Sequence, residues 1–130
     1  MMRLILVLQI VMGLALTVFG ANGFFEFIPK QGEFPVRAEA FLQSIRDSGF
    51  LFPILCVTHI FAGVLLIIGR WVPLALVVHA PVTLNMVLFH WFLASDFQYV
   101  VPAYAIGAIH LLLFWRYREA LKPLFKDRGD

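Results

Sequence analysis

The stretch WVPLALVVHAPVTLNMVLFHWFL, residues 71–93, decides the fold, because it runs for 23 residues without a single Lys, Arg, Asp or Glu. As a helix rising about 1.5 Å per residue, it is long enough to cross a hydrocarbon core of about 30 Å. Inside lipid every backbone N–H and C=O must be paired within the protein, which leaves helices and closed barrels as the structures able to span. A barrel strand would alternate apolar and polar residues over about ten positions, and this run shows no such alternation. It reads as a membrane helix.

Working outward, residues 4–21, 50–68 and 99–115 are also free of charged side chains. The whole chain of 130 residues is 62% hydrophobic and 14% charged, with a mean hydropathy of +0.89. That balance excludes an ordinary soluble domain. The expected fold is all-α: an integral membrane four-helix bundle in one domain, residues 1–130, with the lipid bilayer as its main surroundings.

The ends of the spans carry their own signals. Pro53, Pro73 and Pro102 stand near expected helix starts, where a missing N–H costs little. Trp71, Trp115 and Tyr117 belong to one interface, and Trp91, Tyr99 and Tyr104 to the other. Gly13, Thr17 and Ala21 recur at four-residue spacing along the first span, offering a small-residue stripe for close helix approach. Ala62, Gly63, Ala103 and Gly107 offer similar surfaces, within one chain or between copies in a homo-oligomer. A secretory leader ending near VFGANG is the competing reading of the first run, but the run is long for a leader core and reads as a retained span.

Basic residues set the expected orientation. Arg3, Arg70, Arg116, Arg118, Lys122, Lys126 and Arg128 flank one side, against Lys30, Arg37 and Arg46 on the other. Seven against three places both termini in the cytoplasm of a bacterial inner membrane. The tail, residues 116–130, then reads as a basic segment held by anionic headgroups; no nucleic-acid-reading module accompanies it.

The outward connection, residues 22–49, is too polar to span. Within it residues 35–49 form an expected short amphipathic helix between the first and second spans. Ala38, Phe41, Leu42 and Ile45 share one face, with Arg37, Glu39, Arg46 and Asp47 away from it. It lies at the outer interface, caps the bundle, or docks in a partner groove.

All four histidines fall in the spans: His59 in the second, His79 and His90 in the third, His110 in the fourth. His79 and His90 are eleven positions apart, about three turns plus 20°, so they share a face with Thr83 and Met86. This polar stripe, about 16 Å long, belongs inside the bundle. Counting depth from the cytoplasmic ends puts His79 and His110 both about 10 Å in, able to meet. Each ring is either an interhelical hydrogen-bonding group or a ligand to haem or a metal. Cofactor candidates are therefore His79 and His110, with His59. Asn85 projects from another side of the same helix, and Pro81 leaves the carbonyl of Val77 without its helical donor. Cys56 stands three residues before His59 as thiol or ligand, though a lone cysteine closes no intrachain disulfide and is better read as a small buried side chain. Asn22 and Glu26, beyond the first span, are candidates for the mouth of an outer pocket.

No GxSxG, HExxH, P-loop or GxGxxG pattern occurs, so hydrolysis and nucleotide chemistry have no support in the sequence. Any enzymatic role is at most that of an oxidoreductase subunit.

Three blocks, RLILVLQIVMGLALTVFGANGFFEF, AGVLLIIGRWVPLALVVHAPVTLNMVLFH and WRYREALKPLF, resemble in order the DoxX family of small bacterial four-helix membrane proteins. The resemblance covers nearly the whole chain, and GRWVPLAL with APVTLNMVLFH is its most specific part. It implies an inner-membrane bundle linked to redox assemblies, quinone-coupled or thiol-handling. Family members often carry a Lys after the first-helix glycine and an acid near the position of His59; this chain has Asn22 or Gly23 and His59 there, so no charged site is carried over. The expected function is an accessory or scaffold subunit beside a redox partner. Two alternatives stand beside it: a subunit whose histidines hold haem, metal or quinone, and a small-solute or proton pathway along His79, Thr83 and His90.

Overall fold

A computed structural model describes residues 1–30 and 32–127. These residues fold into six α-helices and a final 3-10 turn: α1 Met2–Phe25, α2 Val36–Asp47, α3 Leu51–Ile68, α4 Val72–Phe92, α5 Phe97–Arg116, α6 Arg118–Leu121, and the turn Lys122–Phe125. Four of them, α1, α3, α4 and α5, are long and apolar enough to cross a membrane. The protein is an all-helical, four-helix membrane bundle with a short amphipathic helix between its first two spans. Arg128, counted above among the cytoplasmic basic residues, and the last two positions of the tail lie outside the described residues.

Two boundaries differ from the sequence expectation. Helix α1 continues four residues past Ala21, because neither Asn22 nor Gly23 stops it; the stop comes at Glu26, whose backbone turns left-handed at φ 49°. There the Glu26 N–H bonds the Asn22 carbonyl at 2.8 Å, and Ile28 N–H donates to Asn22 Oδ1 at 2.7 Å. Asn22 thus accepts the two N–H groups that follow the end of the helix. Helix α5 begins at Phe97, ahead of the expected Tyr99, so Pro102 falls past the first turn and deprives the Gln98 carbonyl of its usual donor.

Helices α1 and α3 make the closest approach in the bundle. A Cβ on Gly13 would stand 2.8 Å from the Gly63 carbonyl oxygen, and one on Gly63 would stand 2.7 Å from the Gly13 carbonyl. A Cβ on Gly20 would similarly meet the Cys56 carbonyl at 2.7 Å. The contact line therefore runs Gly13, Thr17, Gly20, with Ala21 turned partly outward. Apolar burial gives no net drive between helices already in lipid, so this close backbone packing is what holds the pair.

The core between the spans contains Met12, Leu16, Leu66, Val72, Leu76 and Leu113, each nearly inaccessible. Leu4, Val7, Val11, Leu14 and Val18 cover the opposite side of α1 and stay exposed, as a lipid-facing surface requires. One polar residue interrupts the first span's core face. Gln9, 2% exposed, donates from Nε2 to the Leu66 carbonyl at 2.9 Å and accepts at Oε1 from the Tyr117 hydroxyl at 2.8 Å. It joins α1, α3 and the end of α5. The tail then folds back far enough to bury Leu121.

Candidate functional site

Helices α4 and α5 bring His79, Thr83 and His110 together in the buried middle of the bundle. Thr83 lies one turn beyond His79 on α4, so its hydroxyl reaches back to His79 Nδ1 at 2.8 Å. The same hydroxyl stands 2.7 Å from His110 Nδ1 on α5. His110 Nε2 lies 3.0 Å from the Leu76 carbonyl oxygen. The three side chains are between 1% and 7% exposed.

The direction of every bond follows from the last. A carbonyl can only accept, so His110 carries its proton on Nε2 and offers a lone pair at Nδ1. Thr83 has one hydroxyl proton, which goes to that lone pair; its oxygen then accepts from His79 Nδ1–H. His79 Nε2 is left bare. It is the one buried side-chain nitrogen or oxygen without a hydrogen-bond partner among the described residues. These assignments hold for neutral rings, and no Asp or Glu lies in any of the four spans to balance a cationic one.

His59 on α3 completes the cluster, its ring 4.9 Å from that of His79 and close to perpendicular. Its Nδ1 lies 2.9 Å from the Leu55 carbonyl of its own helix. The proton therefore sits on Nδ1, and Nε2 is again a free acceptor. Cys56 does not join it: no hydrogen bond links thiol and imidazole, and Cys56 is packed where Gly23 of α1 leaves room.

His59 also lines a groove of about 690 Å³ between α3 and α4, capped by α2. Phe41, Leu42 and Ile45 of α2, Leu51 and Leu55 of α3, and Pro81, Val82, Met86 and Phe89 of α4 form its apolar walls. Ser44, His59 and Asn85 are its polar lining residues. A mostly apolar concavity of a few hundred cubic ångströms with a few placed polar groups is the usual form of a small-molecule site. The amphipathic helix thus finds its apolar partner within this chain, as one wall of the groove. A second, smaller concavity of about 440 Å³ lies between α4 and α5, with Thr83, Tyr104, Gly107 and His110 among its lining residues.

The other candidates are dispersed. Of the stripe expected on the third span, His79 and Thr83 are buried, Met86 packs against the core and lines the groove, and His90 sits apart. His90 Nδ1 donates to the Met86 carbonyl at 2.8 Å, and its ring neighbours Phe34 and Phe89. Asn85 donates from Nδ2 to the Pro81 carbonyl at 2.8 Å. Asn22 and Glu26 line neither concavity and serve the end of α1. Gln9 escaped the sequence reading; its signal was a lone amide inside an apolar run.

A haem held between His79 and His110 does not fit this arrangement. Their rings stack at 6.0 Å and 24°, joined through the Thr83 hydroxyl, and both nitrogens of His110 are engaged by protein. An axial ligand needs a free ring nitrogen on either side of the porphyrin. For a metal ion, no group of three or more His, Cys, Asp or Glu is suitably placed among the described residues. Nor does the chain form a complete proton relay, since it ends on a backbone carbonyl, which accepts and does not pass a proton on. Compared with known proteins, the chain matches no family model, no curated protein and no solved structure.

Proposed function

We propose that this chain is a DoxX-like multi-pass protein of the bacterial inner membrane, with both termini cytoplasmic, acting as an accessory subunit of a membrane redox assembly. Its contribution is to hold a lipophilic ligand of the quinone and hydroquinone class in the groove between α3 and α4. The observation that carries this reading is the groove itself: apolar walls, a volume suited to a substituted ring, and the free Nε2 of His59 among its few polar atoms. The His79–Thr83–His110 chain acts as the brace that fixes α4 against α5 behind it. The redox partner rests on the sequence resemblance, and the groove is where such a partner's lipid-soluble substrate would dock.

The test is purification in mild detergent from quinone-replete cells, followed by solvent extraction and chromatography of bound lipids. A near-stoichiometric quinone or hydroquinone that is lost when Leu55→Trp fills the groove supports the proposal. A folded preparation retaining neither quinone nor hydroquinone, with wild type and Leu55→Trp alike, removes it. Visible spectra and metal analysis of the same sample test the haem and metal alternatives; a stoichiometric haem or metal lost on His59→Ala or His79→Ala would replace the quinone reading.

A further inference from the structure

The groove's polar atoms are unequally divided between donors and acceptors. Ser44 spends its hydroxyl proton on the Ala40 carbonyl at 2.9 Å, and His59 spends its Nδ1 proton on Leu55. Asn85 spends one of its two amide protons on Pro81. What remains for a ligand is His59 Nε2, Asn85 Oδ1 and the lone pairs of Ser44, against one remaining N–H of Asn85. Next to His59 stands a further bare acceptor, His79 Nε2, fully buried and unpartnered.

We infer that this groove discriminates by oxidation state, taking lipophiles that bring hydroxyl donors, the hydroquinone and phenol class, in preference to the corresponding quinones. The inference rests on the reading of the groove as a lipophile site. A quinone carries two carbonyl oxygens, which only accept. Set against His59 Nε2, such an oxygen leaves two lone pairs facing each other and both desolvated. The hydroquinone presents an O–H at the same place and satisfies the imidazole. The preference follows from the proton on His59 Nδ1, which the Leu55 carbonyl holds there; a proton on Nε2 instead would reverse it. A site of this polarity retains the reduced ligand and releases the oxidised one.

Full-length protein in phosphatidylcholine nanodiscs is equilibrated anaerobically with menadiol, menadione or menadiol dimethyl ether, and bound probe is quantified against empty discs. The ether keeps the ring and removes the donors without being a quinone. Menadiol is expected to bind about tenfold more tightly than either of the others, the effect of one satisfied hydrogen bond in place of an unmet acceptor. His59→Leu should reduce that ratio to near one, chiefly by weakening menadiol. Should the variant fold poorly, Asn85→Leu and the nitrogen NMR shift of His59 Nε2 on menadiol addition give independent readouts. Equal binding of all three probes to the wild type, competed by one another, overturns the discrimination and leaves the groove standing as a lipophile site. Tighter binding of menadione reverses the assignment. If none of the probes binds above empty discs, the groove reading and the inference fall together.

Discussion

The hydroxyl of Thr83 lies 2.8 Å from His79 Nδ1 and 2.7 Å from His110 Nδ1, so one oxygen joins two imidazoles on adjacent spans. Its two bonds are of opposite sense, accepting from one ring and donating to the other. No other small side chain except serine can do both.

Replacing Thr83 by valine keeps the volume and removes both bonds, leaving a donor on His79 and an acceptor on His110 unpaired in a dry core. The loss expected is about 2 kcal/mol, from one bond within α4, one between α4 and α5, and the groups they leave unmet. Thr83→Ser should retain most of the stability. Thermal or denaturant unfolding in one detergent, comparing both variants with the wild type, measures it; equal stability of valine and wild type would contradict the bracing role.

The bond directions specify tautomers that nitrogen NMR can read. His59 and His79 should carry the proton on Nδ1, and His110 on Nε2. Selective assignment through single His→Gln variants identifies each ring. A His110 protonated at Nδ1 would break the logic of the whole chain.

At the α1–α3 contact, Gly63→Leu should cost at least about 3 kcal/mol, because the new side chain meets the backbone of Gly13 and Thr17, which has no slack to give. Gly107→Ala should be far milder, since its Cβ meets only the tip of Val87 at 3.0 Å. The comparison is made by unfolding both variants under one set of conditions. Similar losses would mean that α1 and α3 do not pack as closely as described.

Membrane orientation is checked by reporter fusions at the two chain ends and in the connection preceding α2. Both ends should report cytoplasm and the connection the outside. Replacing Arg116, Arg118, Lys122 and Lys126 with glutamine should weaken that bias, since Lys and Arg set it.

The spans were legible because hydrocarbon imposes a rule that no tertiary contact can override: a charge-free run of sufficient length has few other destinations. The meeting of His79 and His110 was legible for a related reason, since helical rise converts residue number into depth. The face of α2 bearing Ala38, Leu42 and Ile45 was also clear from its spacing. The groove was not, because it depends on how far α3 stands from α4 beneath α2, and no local pattern encodes that distance. The same limit applies to Cys56 and His59: their three-residue spacing suggests partnership, yet neighbouring helices divide them, α1 taking the thiol and α4 the imidazole. Haem was a reasonable reading of two histidines at one depth until Thr83, on the same stripe, proved to be what joins them.

The bond from Tyr117 to Gln9 joins positions 108 apart in sequence. During synthesis the first span therefore enters the bilayer long before its phenol partner exists. The Leu66 carbonyl can meet the amide of Gln9 once α3 is inserted, but its oxygen waits for the end of α5. Assembly thus has a latch that closes only when Tyr117 has left the ribosome, and a product broken off before it carries an unmet polar group in lipid, a chemical mark by which quality-control proteases of the membrane can recognise it.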